Sequence, residues 1–303
     1  MSAIEKVLSV SLNLDNKEEG EEEQKKLDHK FLYRIQRGQR IIYVKVLDED
    51  ILPLSSLIHS KEILSKLREL PRWNDNDWTT LTVSRNPDND NNGQIETFPD
   101  LFAPHSVGDV RALSLSVSGV CQDSLLLFDI LTLTPVTKIK DRVSRVAFVR
   151  PYDGFVATMI LKIAKFEHEL EDLKKEIRVY SLLMARGCRA APRLLGYAYE
   201  ERTDRIVGIL IEDIWGRPAE IGDLQACQNA VREIHDAGIL HNDLNPFNFV
   251  VSEARVKIID FETAEIGTDG DGSKRDEEMQ GLADKLLGER NESPTPTWVS
   301  WRI

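Results

Sequence analysis

The stretch from Ile239 to Glu262 constrains this chain more than any other. It reads Ile-Leu-His-Asn-Asp-Leu-Asn-Pro-Phe-Asn-Phe-Val-Val, a short linker, then Val-Lys-Ile-Ile-Asp-Phe-Glu. The segment between Asn248 and Asp260 has room for a hairpin and nothing larger, so Asp260 falls at the end of an apolar strand. His241, Asp243 and Asn248 precede the hairpin on one short loop. Two carboxylates and an amide are thereby brought near one another by strictly local structure.

Phosphoryl transfer asks for such a set. A carboxylate must orient the attacking hydroxyl, and Asp243 is the candidate. Magnesium takes hard oxygen donors and keeps several waters, so one carboxylate and one amide, Asp260 and Asn248, suffice from the protein. A fixed cation should touch the phosphates. Lys162, in the run Met159-Ile160-Leu161-Lys162, lies in register with an apolar strand, whereas its competitor Lys165 falls at a strand-to-helix junction. A helix carboxylate would hold that lysine's charge and position. Glu176 is the candidate, with Glu167 and Glu171 read as solvated helix residues.

The flanking pattern supplies the scaffold. Val136 to Lys140, Val143 to Val149 and Phe155 to Ile163 read as an antiparallel meander. Phe166 to Met184 has helical spacing, Ala191 to Tyr199 and Arg205 to Ile214 are extended, and Ile221 to Ala237 is an amphipathic helix closed by Gly238.

In this order and context the sequence resembles the protein-kinase-like superfamily, over roughly residues 135 to 290. Lys162 falls at the strand lysine of Val-Ala-Ile-Lys, Glu176 at the helix glutamate, and His241, Asp243 and Asn248 on the catalytic loop. Asp260-Phe261-Glu262 matches Asp-Phe-Gly in its first two residues. Ile211-Glu212-Asp213-Ile214 looks like the hinge that grips adenine with backbone groups, which makes Glu212 and Ile214 nucleotide-binding positions. More narrowly, Leu161 to Glu167, Ala191 to Gly196 and the loop look like a group of fungal kinase-like proteins that carry an extra N-terminal segment. The catalytic loop is similar to those of RIO-type and aminoglycoside kinases, with Asn242 where ordinary protein kinases have arginine. His241 in this motif packs under the loop, while His168 and His235 are read as surface or satisfied histidines.

The resemblance implies an α+β, two-lobed fold: a five-stranded antiparallel N-lobe sheet over 131–213 and a short helical C-lobe over 214–303. An accessory α+β segment over 29–130 and an acidic disordered tail over 1–28 precede it. It implies Mg-ATP and transfer to a hydroxyl, with protein serine or threonine slightly favoured over a small molecule. Asp269, Asp271, Asp276, Glu277 and Glu278 are positioned to recruit an amine in the small-molecule case. Three departures stand out. The turn Lys140-Asp141-Arg142-Val143-Ser144 lacks a glycine-rich loop, leaving Arg142 and Ser144 to grip nucleotide. Glu262 replaces a glycine. No Ala-Pro-Glu motif follows. The missing loop and Glu262 support a rival reading as a pseudokinase scaffold, and a second rival makes the N-terminal segment the working recognition module.

Composition narrows the partners. With 51 acidic against 39 basic residues, the formal charge is −12, which disfavours nucleic acid. No apolar run approaches a membrane span, and Met1 to Leu14 lacks the pattern of a secretory signal. Cys121, Cys188 and Cys227 have no paired spacing and read as reduced thiols in a cytoplasmic protein, with nuclear entry left open. Upstream, Phe31 to Leu47 reads as extended and Ile51 to Leu70 as helical. Trp73 and Trp78 read as core, and the acidic run Lys17 to Glu23 reads as tail, with a docking arm as the alternative.

Overall fold

The computed structural model describes residues 5–12, 30–52, 60–86, 94–108, 110, 125–150, 152–267 and 272–288. The chain forms two compact units, one running to Ser106 with Lys165–Glu167 added, the other holding the rest.

The first unit is a five-stranded sheet in the order β1-β2-β3-β4-β5. Its strands are β1 (Glu5–Leu12), β2 (Phe31–Arg37), β3 (Arg40–Val46), β4 (Thr80–Arg85) and β5 (Ile95–Asp100). Pairing is antiparallel except between β3 and β4. Two expectations are corrected here. The extended run Phe31–Leu47 is a hairpin folded at Gly38, whose φ of 59° costs glycine nothing. Residues 5–12 are also not tail. They pair with β2 along its whole length, pack Val7 and Val10 on the core, and tie Glu5 to Arg37 at 3.2 Å and Arg68 at 2.7 Å. The acidic run 17–23 lies outside the described residues.

Helix α1 spans Ser60–Leu67. A 3-10 turn occupies Glu49–Ile51 and Leu52 after it is extended, so the expected helix does not begin at Ile51; residues 53–59 lie outside the described residues. Ile63, Leu64 and Leu67 are buried against the sheet. Trp73 and Trp78 are core residues, their ring centroids 6.1 Å apart and the Arg37 guanidinium 4.0 Å over Trp73.

The second unit opens with a six-stranded sheet. Its strands are β6 (Leu126–Asp129), β7 (Thr134–Lys138), β8 (Val143–Val149), β9 (Val156–Ile163), β10 (Leu194–Tyr199) and β11 (Ile206–Glu212). The order is β6-β10-β11-β9-β8-β7. The last five form the expected antiparallel set, and β6 adds a sixth strand parallel to β10. That close approach needs Gly196, because a Cβ there would overlap the Leu126 carbonyl oxygen.

Helix α2 (Leu170–Ala185) crosses between β9 and β10, burying Leu173, Ile177 and Tyr180. A 3-10 turn at Ile221–Asp223 leads into α3 (Leu224–Asp236), and Gly238 closes it with φ 77°. The short strands β12 (Ile239–Leu240), β13 (Phe249–Val251), β14 (Val256–Ile258) and β15 (Glu265–Ile266) follow, with β13 and β14 forming the anticipated hairpin. Helices α4 (Gly272–Gln280) and α5 (Leu282–Gly288) complete the described chain. The architecture is mixed α+β. No described helix is long and apolar enough to cross a membrane. Cys188 and Cys227 are free thiols; Cys121 lies outside the described residues.

Candidate active site

Lys162 occupies the penultimate position of β9, in register with Val143 on one side and Ile209 on the other. This places its side chain in the apolar interior, where an uncompensated ammonium would be expelled. Glu176 of α2 meets it at 2.9 Å, Asp260 at 2.8 Å and Glu262 at 3.0 Å. Burial works against the lysine's charge, but the three carboxylates together hold its pKa above the ordinary value.

Asp260 follows β14 with φ 67°, a left-handed conformation that Asp tolerates better than most residues. Its second carboxylate oxygen lies 3.0 Å from Lys140 at the β7–β8 turn. Burial opposes its ionisation, yet the two lysines hold the carboxyl well below the usual carboxylate range. Phe261 beneath it is fully buried between Tyr180 and His241, with ring centroids at 5.4 and 5.0 Å.

The loop between β12 and β13 is tied by its own polar side chains. Asn245 Oδ1 accepts from Phe247 N and Asn248 N, capping the 3-10 turn Pro246–Asn248. Asn248 Nδ2 donates to the Asp243 carbonyl at 2.7 Å and its carboxylate at 3.0 Å, which leaves the amide oxygen as the end available to a cation. Asp243 itself is exposed. His241 is buried; its Nε2 donates to the Ile259 carbonyl at 3.0 Å and its Nδ1 accepts from Asp243 N at 3.3 Å. Glu278 of α4 braces the loop from below, accepting from His241 N, Asn242 N and His235. That carboxylate is therefore committed to the loop rather than open to recruit an amine. Asp276 and Glu277 are exposed, and Asp269 and Asp271 lie outside the described residues.

A cleft runs over these groups. Lys140, Lys162, Glu176, Asn248 and Asp260 line one part; Val143, Ile160, Ile211, Glu212 and Ile214 line another. Asp243 stands off the lining and reaches it through Asn248. The structure thus joins Lys162, Glu176 and Asp260 in one contact set and Asp243 and Asn248 in another, with Glu212 and Ile214 on the wall. The Glu212 carboxylate turns to Lys257 at 2.6 Å and Arg193 at 3.7 Å. Its neighbour Asp213 is clamped by Arg145 at 2.9 Å.

Arg142, expected to grip nucleotide, is instead surrounded by Glu262 at 3.1 Å, Asp172 at 3.7 Å and Glu169 at 3.8 Å. Lys140, two residues earlier in the same turn, is the cation that faces the cleft. Sequence reasoning missed Lys140, the Arg145–Asp213 pair, Asn245 and the bracing role of Glu278. Only the glycine-free turn carried a hint of Lys140.

A meandering sheet crossed by one helix, with a lysine–glutamate pair facing a strand-end aspartate, is consistent with a protein-kinase-like fold. Similarity at the sequence level points the same way. Over 105 residues, 31% of this chain, it is 28% identical to the probable serine/threonine-protein kinase BUD32 homolog of the archaeon Archaeoglobus fulgidus. The match spans about half of that relative, 51% of its length. No family model matches the chain. The similarity supports a place in the kinase-like superfamily.

Proposed function

We propose that this chain is a Mg-ATP-dependent phosphotransferase that moves a phosphoryl group to an acceptor hydroxyl. The observation that carries the reading is the contact set Lys162–Glu176–Asp260, set in one cleft with Asn248. Asp243, exposed and held by Asn248, orients the acceptor hydroxyl and takes its proton. Lys162, fixed by Glu176, holds nucleotide phosphate oxygens. Ile211, Glu212 and Ile214 form the adenine wall, with isoleucine side chains and backbone groups for the base and the Glu212 carboxylate paired to Lys257. The ionised Asp260 carboxylate and the Asn248 amide oxygen are hard donors that would hold magnesium, whose charge would offset that of the phosphates. Lys140 takes the place of the glycine-rich loop, exchanging Asp260 for phosphate.

The kinase-like unit in this reading is the second compact unit, which takes in β6 ahead of the expected start at residue 131; the first unit is accessory, and the protein works in the cytoplasm. A protein serine or threonine acceptor is favoured, because the similar archaeal protein is named a probable serine/threonine kinase and Glu278 is spent inside the fold. A small-molecule hydroxyl is the alternative.

A second reading, a scaffold that turns over nothing, draws on the cleft's size. It encloses about 80 Å3, below the ~300–1,000 Å3 of most small-molecule sites. In the phosphotransferase reading, nucleotide phosphate displaces Asp260 from Lys140 as it enters. Thermal melting with ATP, with and without magnesium, separates the two readings. Saturation at ~100 times Kd adds about 2.7 kcal/mol, a shift of a few degrees that Asp260→Ala abolishes if the phosphotransferase reading holds. An unchanged midpoint at millimolar ATP would leave the scaffold.

A further inference from the structure

Behind the strand that walls the cleft lies a second, larger hollow of about 590 Å3. The two share only Pro192 and Glu212. Its rim is basic. Arg189 and Arg193 come from the loop between α2 and β10, and Arg255 and Lys257 from the β13–β14 hairpin. Glu212 is the one acidic side chain among the lining residues, and it is already paired with Lys257 and Arg193. Arg189 and Arg255 are exposed and have no ionic partner among the described residues. The loop bearing Arg189 is nonetheless fixed, since Glu233 of α3 accepts from both Arg189 N and Ala190 N. Between the two basic edges the floor is apolar, with Leu183, Met184 and Ala191.

In a chain of net charge −12, this concentration of positive charge in a concave site is a local inversion of the molecule's character. Glu212 offsets part of that charge, and the arginines that it does not reach attract an acidic ligand. Arg193 and Lys257 meet on Glu212, so the charge left for a ligand sits on Arg189 and Arg255, which come from different segments and match carboxylates spaced along a chain. The apolar floor matches intervening side chains. We propose that this groove docks an acidic peptide segment of a partner protein, with carboxylates on the arginines and apolar side chains on the floor. Because the groove shares Glu212 with the cleft, the docked segment sits against the back of the proposed nucleotide wall. The proposal concerns binding alone and stands whether or not the cleft turns over ATP.

The test is fluorescence anisotropy with the full chain and a short fluorescein-labelled peptide alternating glutamate and leucine. Wild type is expected to bind it, more weakly as salt rises, and to ignore a version with glutamine for glutamate. Arg189→Glu combined with Arg255→Glu should weaken binding by about tenfold or more, while Arg178→Glu, exposed but outside the groove, leaves it unchanged. Circular dichroism melting confirms that each variant folds. Three results overturn the proposal: no binding by wild type, equal binding by the double variant, or displacement of the peptide by inorganic phosphate or single-stranded RNA at lower concentration than by unlabelled peptide.

Discussion

The Lys162 ammonium and the Glu176 carboxylate meet at 2.9 Å with side-chain exposures of 6% and 1%. Glu176 could not keep its charge there alone, whereas Lys162 also has Asp260 and Glu262. Removing one member of a buried pair strands the other charge and costs ~3–5 kcal/mol, whereas replacing both with neutral groups costs far less. Lys162→Met is expected to lower unfolding free energy in that range, and Glu176→Gln by less, because Asp260 and Glu262 still face the lysine. The double variant should lose clearly less than the sum. Urea denaturation of the four proteins gives the cycle; additive losses would show that the pair is not a coupled unit.

Asp243 and Asp260 are assigned different work, and substitution should separate them. Asp243 is exposed and touches the loop, not the lysine set. Asp243→Asn should therefore keep Mg-ATP binding within a few-fold while lowering turnover of a model acceptor by ~10²–10⁴. Asp260→Asn should weaken Mg-ATP binding itself. Calorimetric titration read beside an ADP-formation assay with the acceptor present distinguishes them, and matching binding losses in both variants would reject the division of roles.

Lys140 sits 3.0 Å from Asp260 on a turn that has no glycine. If it exchanges that carboxylate for phosphate, Lys140→Ala should weaken ATP by about tenfold and adenosine hardly at all, as expected for loss of one charge-assisted contact. Lys138→Ala, at the end of β7 just before that turn and outside the cleft lining, is the control. Equal weakening of ATP and adenosine would place Lys140 in the wall rather than at the phosphates.

How much of this was legible beforehand follows from how local each signal is. The loop carrying His241, Asp243 and Asn248 and the hairpin delivering Asp260 are fixed within a short run, so the motif and its layout could be read together. Lys162 was placed by its register in an apolar strand. Contacts reaching across the chain left no such trace. Nothing near Lys140 announces Asp260, which is 120 residues away. Arg142 was misjudged because formal charge does not reveal that Glu169, Asp172 and Glu262 would converge on it. Glu278 looked like one of several surface acids until α4 carried it under the loop. Strand β1 was hidden by the acidic run that follows it, and β6 by its parallel pairing with β10, which needs Gly196 on a strand far along the chain.

His241 makes the loop sensitive to acid. Its Nε2 proton is donated to Ile259 O and its Nδ1 lone pair accepts from Asp243 N, so only the neutral ring satisfies both partners. Burial, the largest influence, lowers its pKa from the ordinary 6.5 despite the pull of the Ile259 carbonyl and nearby carboxylates. A histidine whose folded pKa is depressed binds fewer protons folded than unfolded. Its contribution is therefore complete above about 6.5 and is lost as pH falls below that value. Glu278, also depressed, follows only below its ordinary 4.5. Between pH 7 and 5 wild type should lose stability more steeply than His241→Gln, which has no proton to take up there. Urea midpoints at pH 7, 6 and 5 measure both slopes. Parallel lines would mean that the ring is already free to protonate in the folded loop and does not hold Asp243 in place.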